Sequence, residues 1–143
     1  MAMDFLESAL LLKSLYDQAL DPVAQRWQLT RMELDLLLFL HNNPERATAA
    51  EAVRLRQWTK SHVSAAAHSL RTRGLLSAQH PQGNRKTLLL TPLPAARLVL
   101  QEGRDAQRSF FQAMRRGFTP EEERALEAIS EKITRNIRDA IKK

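Results

Sequence analysis

Apolar residues recur every three or four positions along most of the chain, the spacing that places them on one face of an α-helix. The first such stretch runs from Met3 to about Gln28 and predicts one long helix, or a helix broken at Asp21-Pro22. A second stretch follows Thr30 and ends at Asn42-Asn43-Pro44. The chain is therefore predicted to begin with two helices.

A four-residue pattern marks three of the predicted helix starts. In this capping box, a Thr hydroxyl and a Glu carboxylate three residues later satisfy backbone amides that a helix start leaves unpaired. The pattern occurs at Thr30-Arg31-Met32-Glu33, Thr48-Ala49-Ala50-Glu51 and Thr119-Pro120-Glu121-Glu122. It predicts the second helix, a short helix that ends near Leu55, and the last helix of the chain.

The centre of the chain predicts two neighbouring helices and a hairpin. A helix from Thr59 to Arg73 follows the short helix after three or four residues, which is the arrangement of a helix-turn-helix. Residues 75–79 and 86–90 then flank a turn at residues 81–85 and predict a short β-hairpin. Thr91-Pro92 predicts the start of a helix of about 25 residues that ends near Gly117. The predicted fold class is mainly α with a small sheet (α+β).

Composition narrows the class of protein. The chain has 143 residues, of which 43% are hydrophobic and 27% charged, and this balance predicts one globular domain or at most two small ones. The absence of cysteine excludes disulfides, thiolate zinc sites and thiol catalysis. No apolar run is long enough to span a bilayer, and the first twelve residues carry two acids and no base. We expect a cytoplasmic protein without membrane contact.

Positive charge is concentrated in the middle of the chain. Residues 1–45 hold three Lys/Arg against seven Asp/Glu, a balance of −4, whereas residues 46–86 hold eight against one, a balance of +7. Residues 87–143 hold eleven against eight, or +3. Because a cationic face suits a polyanionic partner, we expect such a partner to bind the helix-turn-helix and the hairpin.

The helix from Thr59 has the pattern of a helix that enters a DNA major groove. Val63, Ala67 and Leu70 share one face and are expected to pack inward. The opposite face is predicted to read bases or adjacent phosphates through Lys60, Ser61, Ser64 and His68, with Ala65 beside them. An ordinary amphipathic surface helix would show the same periodicity.

The hairpin adds cations beside that helix. Arg85 and Lys86 lie at or near its tip, and Arg71 and Arg73 lie just upstream, so all four are predicted to neutralise phosphates. A basic loop can also be plain solvated surface. A cationic hairpin directly after a helix-turn-helix nevertheless predicts a winged helix-turn-helix.

Residues 29–91 resemble the winged-helix domain of the MarR family of bacterial transcriptional regulators. The resemblance rests on Leu29-Thr30-Arg31-Met32-Glu33, on Thr59-Lys60-Ser61-His62-Val63-Ser64, on Leu70 with Arg73-Gly74-Leu75-Leu76, and on Thr91. It implies a DNA-binding domain at residues 29–91 and a helical dimerisation region formed by residues 1–28 and 92–143. The family wing carries an Asp-x-Arg pattern, and here Asn84-Arg85-Lys86 stands in its place, so the acid that anchors the wing is missing. The return strand also looks about two residues shorter than in the family.

Two apolar stripes support a homodimer. They comprise Leu6, Leu10, Leu15 and Tyr16 near one end, and Leu126, Ile129, Ile133 and Ile137 near the other. The alternative is that they close the core of a monomer. The resemblance further implies a small-molecule effector at the junction with the winged helix, where Phe110, Phe111 and Met114 are the candidate residues.

Other chemistries find little support in the sequence. The four histidines show no metal-ligand spacing, and no catalytic or nucleotide-binding motif is present, so we predict no cofactor, no metal and no enzyme activity. We predict a homodimeric regulator, most readily a repressor, that binds a pseudo-palindromic site on double-stranded DNA. The competing interpretation is a winged-helix interaction module that docks an acidic protein.

Overall fold

The computed structural model describes residues 4–142. The helices are α1 (Asp4–Arg26), α2 (Arg31–Asn42), α3 (Ala49–Arg56), α4 (Lys60–Thr72), α5 (Arg97–Met114) and α6 (Pro120–Ile141), and the strands are β1 (Leu76–Gln79) and β2 (Leu89–Pro92). Short 3-10 turns occur at Pro44–Arg46 and Pro94–Ala96. The order confirms the predicted fold class, a winged helix-turn-helix between terminal helices. Within the described residues, no helix is long and apolar enough to cross a membrane.

The first helix runs without interruption. Pro22 lies inside α1, which reaches Arg26, so of the two alternatives the continuous helix is correct. The predicted start at Met3 lies outside the described residues.

Capping residues set several helix starts as the sequence predicts. Thr30 Oγ1 accepts a hydrogen bond from the Glu33 amide, and Glu33 Oε1 accepts one from the Thr30 amide. The equivalent reciprocal pair joins Thr119 and Glu122 at the start of α6. The box at Thr48 is half formed, because Thr48 Oγ1 caps α3 while the Glu51 carboxylate binds Arg54.

The chain divides into two compact units, one ending at Phe110 and one beginning at Phe111. The core of the first unit is built around α2, which is apolar on nearly every side and packs against α1, α3, α4 and β2. Helix α5 joins this core at Gly103, where a Cβ atom would lie 3.0 Å from Leu38 Cδ2. Glycine therefore permits a close approach between the two helices.

Two predicted boundaries around the hairpin are wrong. The strands pair with Leu76 opposite Pro92 and Gln79 opposite Leu89, so β2 begins at Leu89 and not at residue 86. Thr91 and Pro92 belong to the strand and do not start a helix. The ladder continues beyond them, because the Leu93 amide donates to the Leu75 carbonyl across 2.9 Å. These long-range backbone bonds override the local signal of Thr-Pro, and α5 begins only after the turn at Pro94–Ala96.

Candidate nucleic-acid interface

The turn between α3 and α4 is fixed by one residue in a left-handed conformation and by one aromatic contact. Gln57 has φ of 58° and closes α3. The half-buried Trp58 then packs edge-on against Phe39, with ring centroids 6.1 Å apart. Because Phe39 belongs to the central helix α2, this contact ties the turn to the core.

The start of α4 carries a hydroxyl cap. Thr59 Oγ1 accepts a hydrogen bond from the His62 amide across 3.1 Å and lies 3.4 Å from Ser61 Oγ. The free backbone amides of the first turn give this end of the helix a partial positive charge. An exposed end of this kind suits a nearby phosphate.

Helix α4 separates a buried face from an exposed polar face. Val63, Ala67 and Leu70 are buried as predicted, and Ala66 joins them. With 3.6 residues per turn, the five predicted contact residues on this helix fall within an arc of about 100° on the other side. All five are exposed, namely Lys60, Ser61, Ser64, His68 and Arg71. The structure thus brings them together on one continuous surface, which we call the α4 polar face.

Arg73 is placed differently from the other predicted cations. Its Nη1 donates to the Gln28 carbonyl at 2.8 Å, and its Nη2 donates to the Trp27 carbonyl at 2.9 Å. These bonds connect the end of α4 to the loop between α1 and α2. The guanidinium of Arg73 therefore already donates hydrogen bonds to two backbone carbonyl oxygens.

The hairpin is attached to the start of α3 as well as to itself. Leu90 donates its amide to the Ala47 carbonyl at 2.8 Å, and the Ala49 amide donates to the Leu88 carbonyl at 3.2 Å. Thr48 and Leu89 form an isolated antiparallel bridge. The base of the wing is therefore held by three stretches of backbone.

The wing loop, residues 80–88, is organised by Asn84. Its Oδ1 accepts hydrogen bonds from the amides of Lys86 and Thr87 at 2.9 and 3.2 Å, and its Nδ2 donates to Thr87 Oγ1 at 2.8 Å. His80 Nδ1 lies 2.9 Å from the Thr87 carbonyl. The amides of residues 86 and 87 thus donate to Asn84, and β2 begins only at Leu89. The side-chain amide supplies an anchor where the resemblance predicts an acid.

Arg85 and Lys86 lie on this anchored loop with exposed side chains. Neither forms an ion pair with another residue between 4 and 142. The loop therefore presents two cations that have no ionic partner among the described residues.

The predicted effector residues occupy two environments. Phe110 is buried and packs edge-on against Tyr16, with ring centroids 5.0 Å apart. In the second unit, Phe111 and Met114 line a groove with residues that include Pro120 and Leu126.

Sequence reasoning missed a cavity of about 230 Å³ inside the first unit. Gln107 organises its wall by donating to Tyr16 Oη at 2.9 Å and accepting from Asn42 Nδ2 at 3.2 Å. No local motif signals this cavity, because five different segments contribute to it. Its lining comprises Tyr16, Asp35, Leu38, Phe39, Asn42, Arg56, Trp58 and Gln107.

A charged cluster lies at the edge of the same cavity. Arg31 binds Asp17, Asp21 and Asp35 at 2.8 to 2.9 Å and so joins α1 to α2. Burial raises the pKa of Asp35, and the bond from Arg31 only partly opposes this. The bond from Lys13 lowers the pKa of Asp17, with a further contribution from Arg31.

Comparison with known proteins agrees with this geometry. Residues 27–86 match the profile of the MarR family. No curated protein matches the chain in sequence.

Many solved structures share the fold. A protein from Listeria monocytogenes described as a MarR family transcriptional regulator, solved with 26-mer DNA, is 18% identical over 94% of this chain and 88% of its own, with a TM-score of 0.82. A MarR family regulator from Silicibacter pomeroyi is 21% identical over 96% and 95% of the two chains, with a TM-score of 0.77.

A third structure concerns ligand control. It is BpsR of Bordetella bronchiseptica, from work on regulation of its DNA binding by 6-hydroxynicotinic acid, and it is 20% identical over 90% and 98% of the two chains, with a TM-score of 0.61. The profile match over residues 27–86 and the shared fold together show that the chain is similar to the MarR family in its winged helix-turn-helix.

Proposed function

We propose that the protein regulates transcription by binding a pseudo-palindromic DNA duplex as a homodimer. The α4 polar face would enter the major groove, and Arg85 would reach the adjacent minor groove from the wing. The observation that carries this proposal is the position of Lys60, Ser64 and His68 on one exposed face, opposite a face that is fully buried. The family match and the DNA-bound relative support the same interpretation.

The cations divide into different roles in this proposal. Lys60 and His68 have the length to reach base edges or phosphates, whereas Ser61 and Ser64 suit close contact. Arg71 and Lys86 would neutralise phosphates, and Arg85 would contact phosphates or the adjacent minor groove. Arg73, which sequence reasoning assigns to phosphates as well, would mainly hold the end of α4 in place through its carbonyl contacts.

The homodimer is proposed from apolar side chains that the single chain leaves uncovered. On α1, the side chains of Leu6 and Leu10 are 71% and 69% exposed. On α6, those of Ile129 and Ile137 are 56% and 51% exposed. Such surfaces on two helices are typical of a subunit interface. We propose residues 1–28 and 92–143 as the dimerisation region and residues 29–91 as the DNA-binding domain.

A small-molecule effector is proposed for the cavity beside Tyr16, Phe39 and Trp58. Its lining combines three aromatic rings with four polar or charged side chains that would orient a ligand, and its wall joins α1, α2 and α5 to the turn before α4. A ligand there would therefore contact elements that position the α4 polar face. Phe110 would contribute by supporting Tyr16, and a role for Phe111 and Met114 stays a prediction. Repression relieved by such a ligand is the regulatory outcome we expect.

Selection of duplexes from a random pool by the purified protein tests the proposal. We expect enriched sequences with two related half-sites about one helical turn apart. Binding to the selected duplex should weaken steeply with salt and exceed binding to a scrambled duplex. Equal binding to both duplexes, or binding only to an acidic protein, would overturn the proposal.

A further inference from the structure

A groove on the first unit combines apolar and cationic side chains. It lies between α5, the C-terminal end of α2 and the connector that follows β2, and it has a volume of about 640 Å³. That volume is within the range of small-molecule sites. We call it the α5 groove.

Arginines dominate the rim of the α5 groove. Arg97, Arg104 and Arg108 follow one another at helical spacing, with Gln101 between the first two, and all four side chains are exposed. Asp105 is the acid in the lining, and its Oδ1 binds Arg108 Nη1 at 3.0 Å. Three arginines against one aspartate leave a charge balance of +2.

Two of these arginines have no anionic partner within the described part of the chain. Arg97 and Arg104 form neither an ion pair nor a side-chain hydrogen bond between residues 4 and 142. An anion bound at Arg97 and Arg104 would supply the missing opposite charge, and the planar guanidinium matches an oxyanion through paired hydrogen bonds.

Apart from His41, the rest of the lining is apolar. Leu100 is buried, Leu93 is half-buried, and the prolines at positions 92 and 94 flank Leu93. A bare inorganic ion would leave this surface in contact with water. The complementary ligand therefore has an anionic head for Arg97 and Arg104 and an apolar body for Leu93 and Leu100.

We propose that the α5 groove binds an amphipathic organic anion, a molecule with a carboxylate or phosphate head on an apolar body. This site is separate from the proposed effector cavity, since the two share no lining residue. The inference does not depend on DNA binding and goes beyond the proposed function.

Titration of the full-length, ¹⁵N-labelled protein with sodium octanoate, octyl phosphate, n-octanol and inorganic phosphate tests the proposal. We expect saturable shifts of amide signals between residues 92 and 108 with octanoate or octyl phosphate. The tighter binder of the two shows whether the groove prefers a carboxylate or a phosphate head. The Arg97→Gln/Arg104→Gln double variant should bind about tenfold or more weakly, because charge-assisted hydrogen bonds are lost. Arg116→Gln, an exposed arginine in the second unit, should bind as the wild type does.

Several results would overturn the proposal. These are the absence of saturable binding of either amphiphile, unchanged affinity in the double variant, or binding of octanol or inorganic phosphate as tight as that of the amphiphiles. Melting curves check that the double variant is folded. If its melting temperature falls, the two single variants are titrated instead, and each is expected to show a smaller loss than the tenfold of the pair. No DNA is present in these titrations, so their outcome is independent of the selection experiment.

Discussion

Arg73 Nη1 lies 2.8 Å from the carbonyl oxygen of Gln28, 45 residues earlier in the chain. Arg71, two residues before Arg73, is exposed and forms no ion pair among residues 4–142. Two arginines that look equivalent in the sequence thus have different surroundings. The difference yields a prediction that separates stability from DNA binding.

We expect Arg73→Gln to lower the free energy of unfolding by about 1 kcal/mol, because two carbonyl oxygens lose a charged donor. Arg71→Gln should leave stability within about 0.5 kcal/mol of the wild type. It should instead weaken DNA binding and reduce the slope of log K against log salt by about 1. Urea unfolding and fluorescence anisotropy on the selected duplex measure the two effects. The reverse pattern, with Arg71→Gln the less stable variant, would contradict this assignment.

Replacement of wing and helix residues should affect sequence preference differently. Arg85→Ala is expected to weaken binding broadly across a panel of related duplexes, since it removes a contact to phosphates or the minor groove. Ser64→Ala should change the preference at few positions, since Ser64 lies on the α4 polar face. Binding curves on duplexes with single base-pair changes measure both effects. If Arg85→Ala binds DNA as the wild type does, the wing has no part in recognition.

Asn84 is expected to support DNA binding indirectly, by positioning Arg85. Asn84→Ala removes the acceptor of two backbone amides and the donor to Thr87, and so loosens the loop that carries Arg85. We expect weaker DNA binding, and we expect the effects of Asn84→Ala and Arg85→Ala in the double variant to be less than additive. Gln82→Ala, an exposed loop residue, is the control. Full additivity would mean that Asn84 does not position Arg85.

The exposed stripe of α6 predicts a change in oligomeric state. Ile133→Glu places a charge in the proposed interface and should convert a dimer to a monomer, as measured by light scattering after gel filtration. Arg135→Glu is the matched control, because it introduces the same side chain about 200° away around the helix. A dimer that persists in Ile133→Glu, or a monomeric wild type, would argue against this interface.

Glu102 predicts a dependence of stability on pH. The hydrogen bond from Trp27 Nε1, 2.6 Å long, lowers the pKa of this carboxyl below its ordinary value of 4.5, with help from Arg26. A group whose pKa is lower in the folded state stabilises the fold above its unfolded pKa and loses this contribution as pH falls through the folded value. Glu102→Gln should therefore lower the melting temperature at pH 7 and have less effect near pH 3. Equal effects at both values would contradict the ionic contribution.

The sequence by itself determined the features that depend on a few neighbouring residues. Thr30 and Thr119 cap their helices with groups only three residues away, so their patterns predict the helix starts directly. The period of 3.6 residues likewise predicts the buried and exposed faces of α4, because burial of apolar side chains on one side leaves the polar face outside. Such features need no knowledge of distant residues.

Tertiary structure decided the features that depend on distant backbone. Thr91-Pro92 has the local pattern of a helix start, but pairing with β1 makes it a strand, since ladder hydrogen bonds come from residues 14 to 16 positions earlier. Arg73 differs from Arg71 because the fold places the carbonyls of Trp27 and Gln28 within hydrogen-bonding distance of its guanidinium. The α5 groove and the proposed effector cavity each combine segments far apart in the chain. Physical proximity of this kind is set by packing around α2, and no local pattern encodes it.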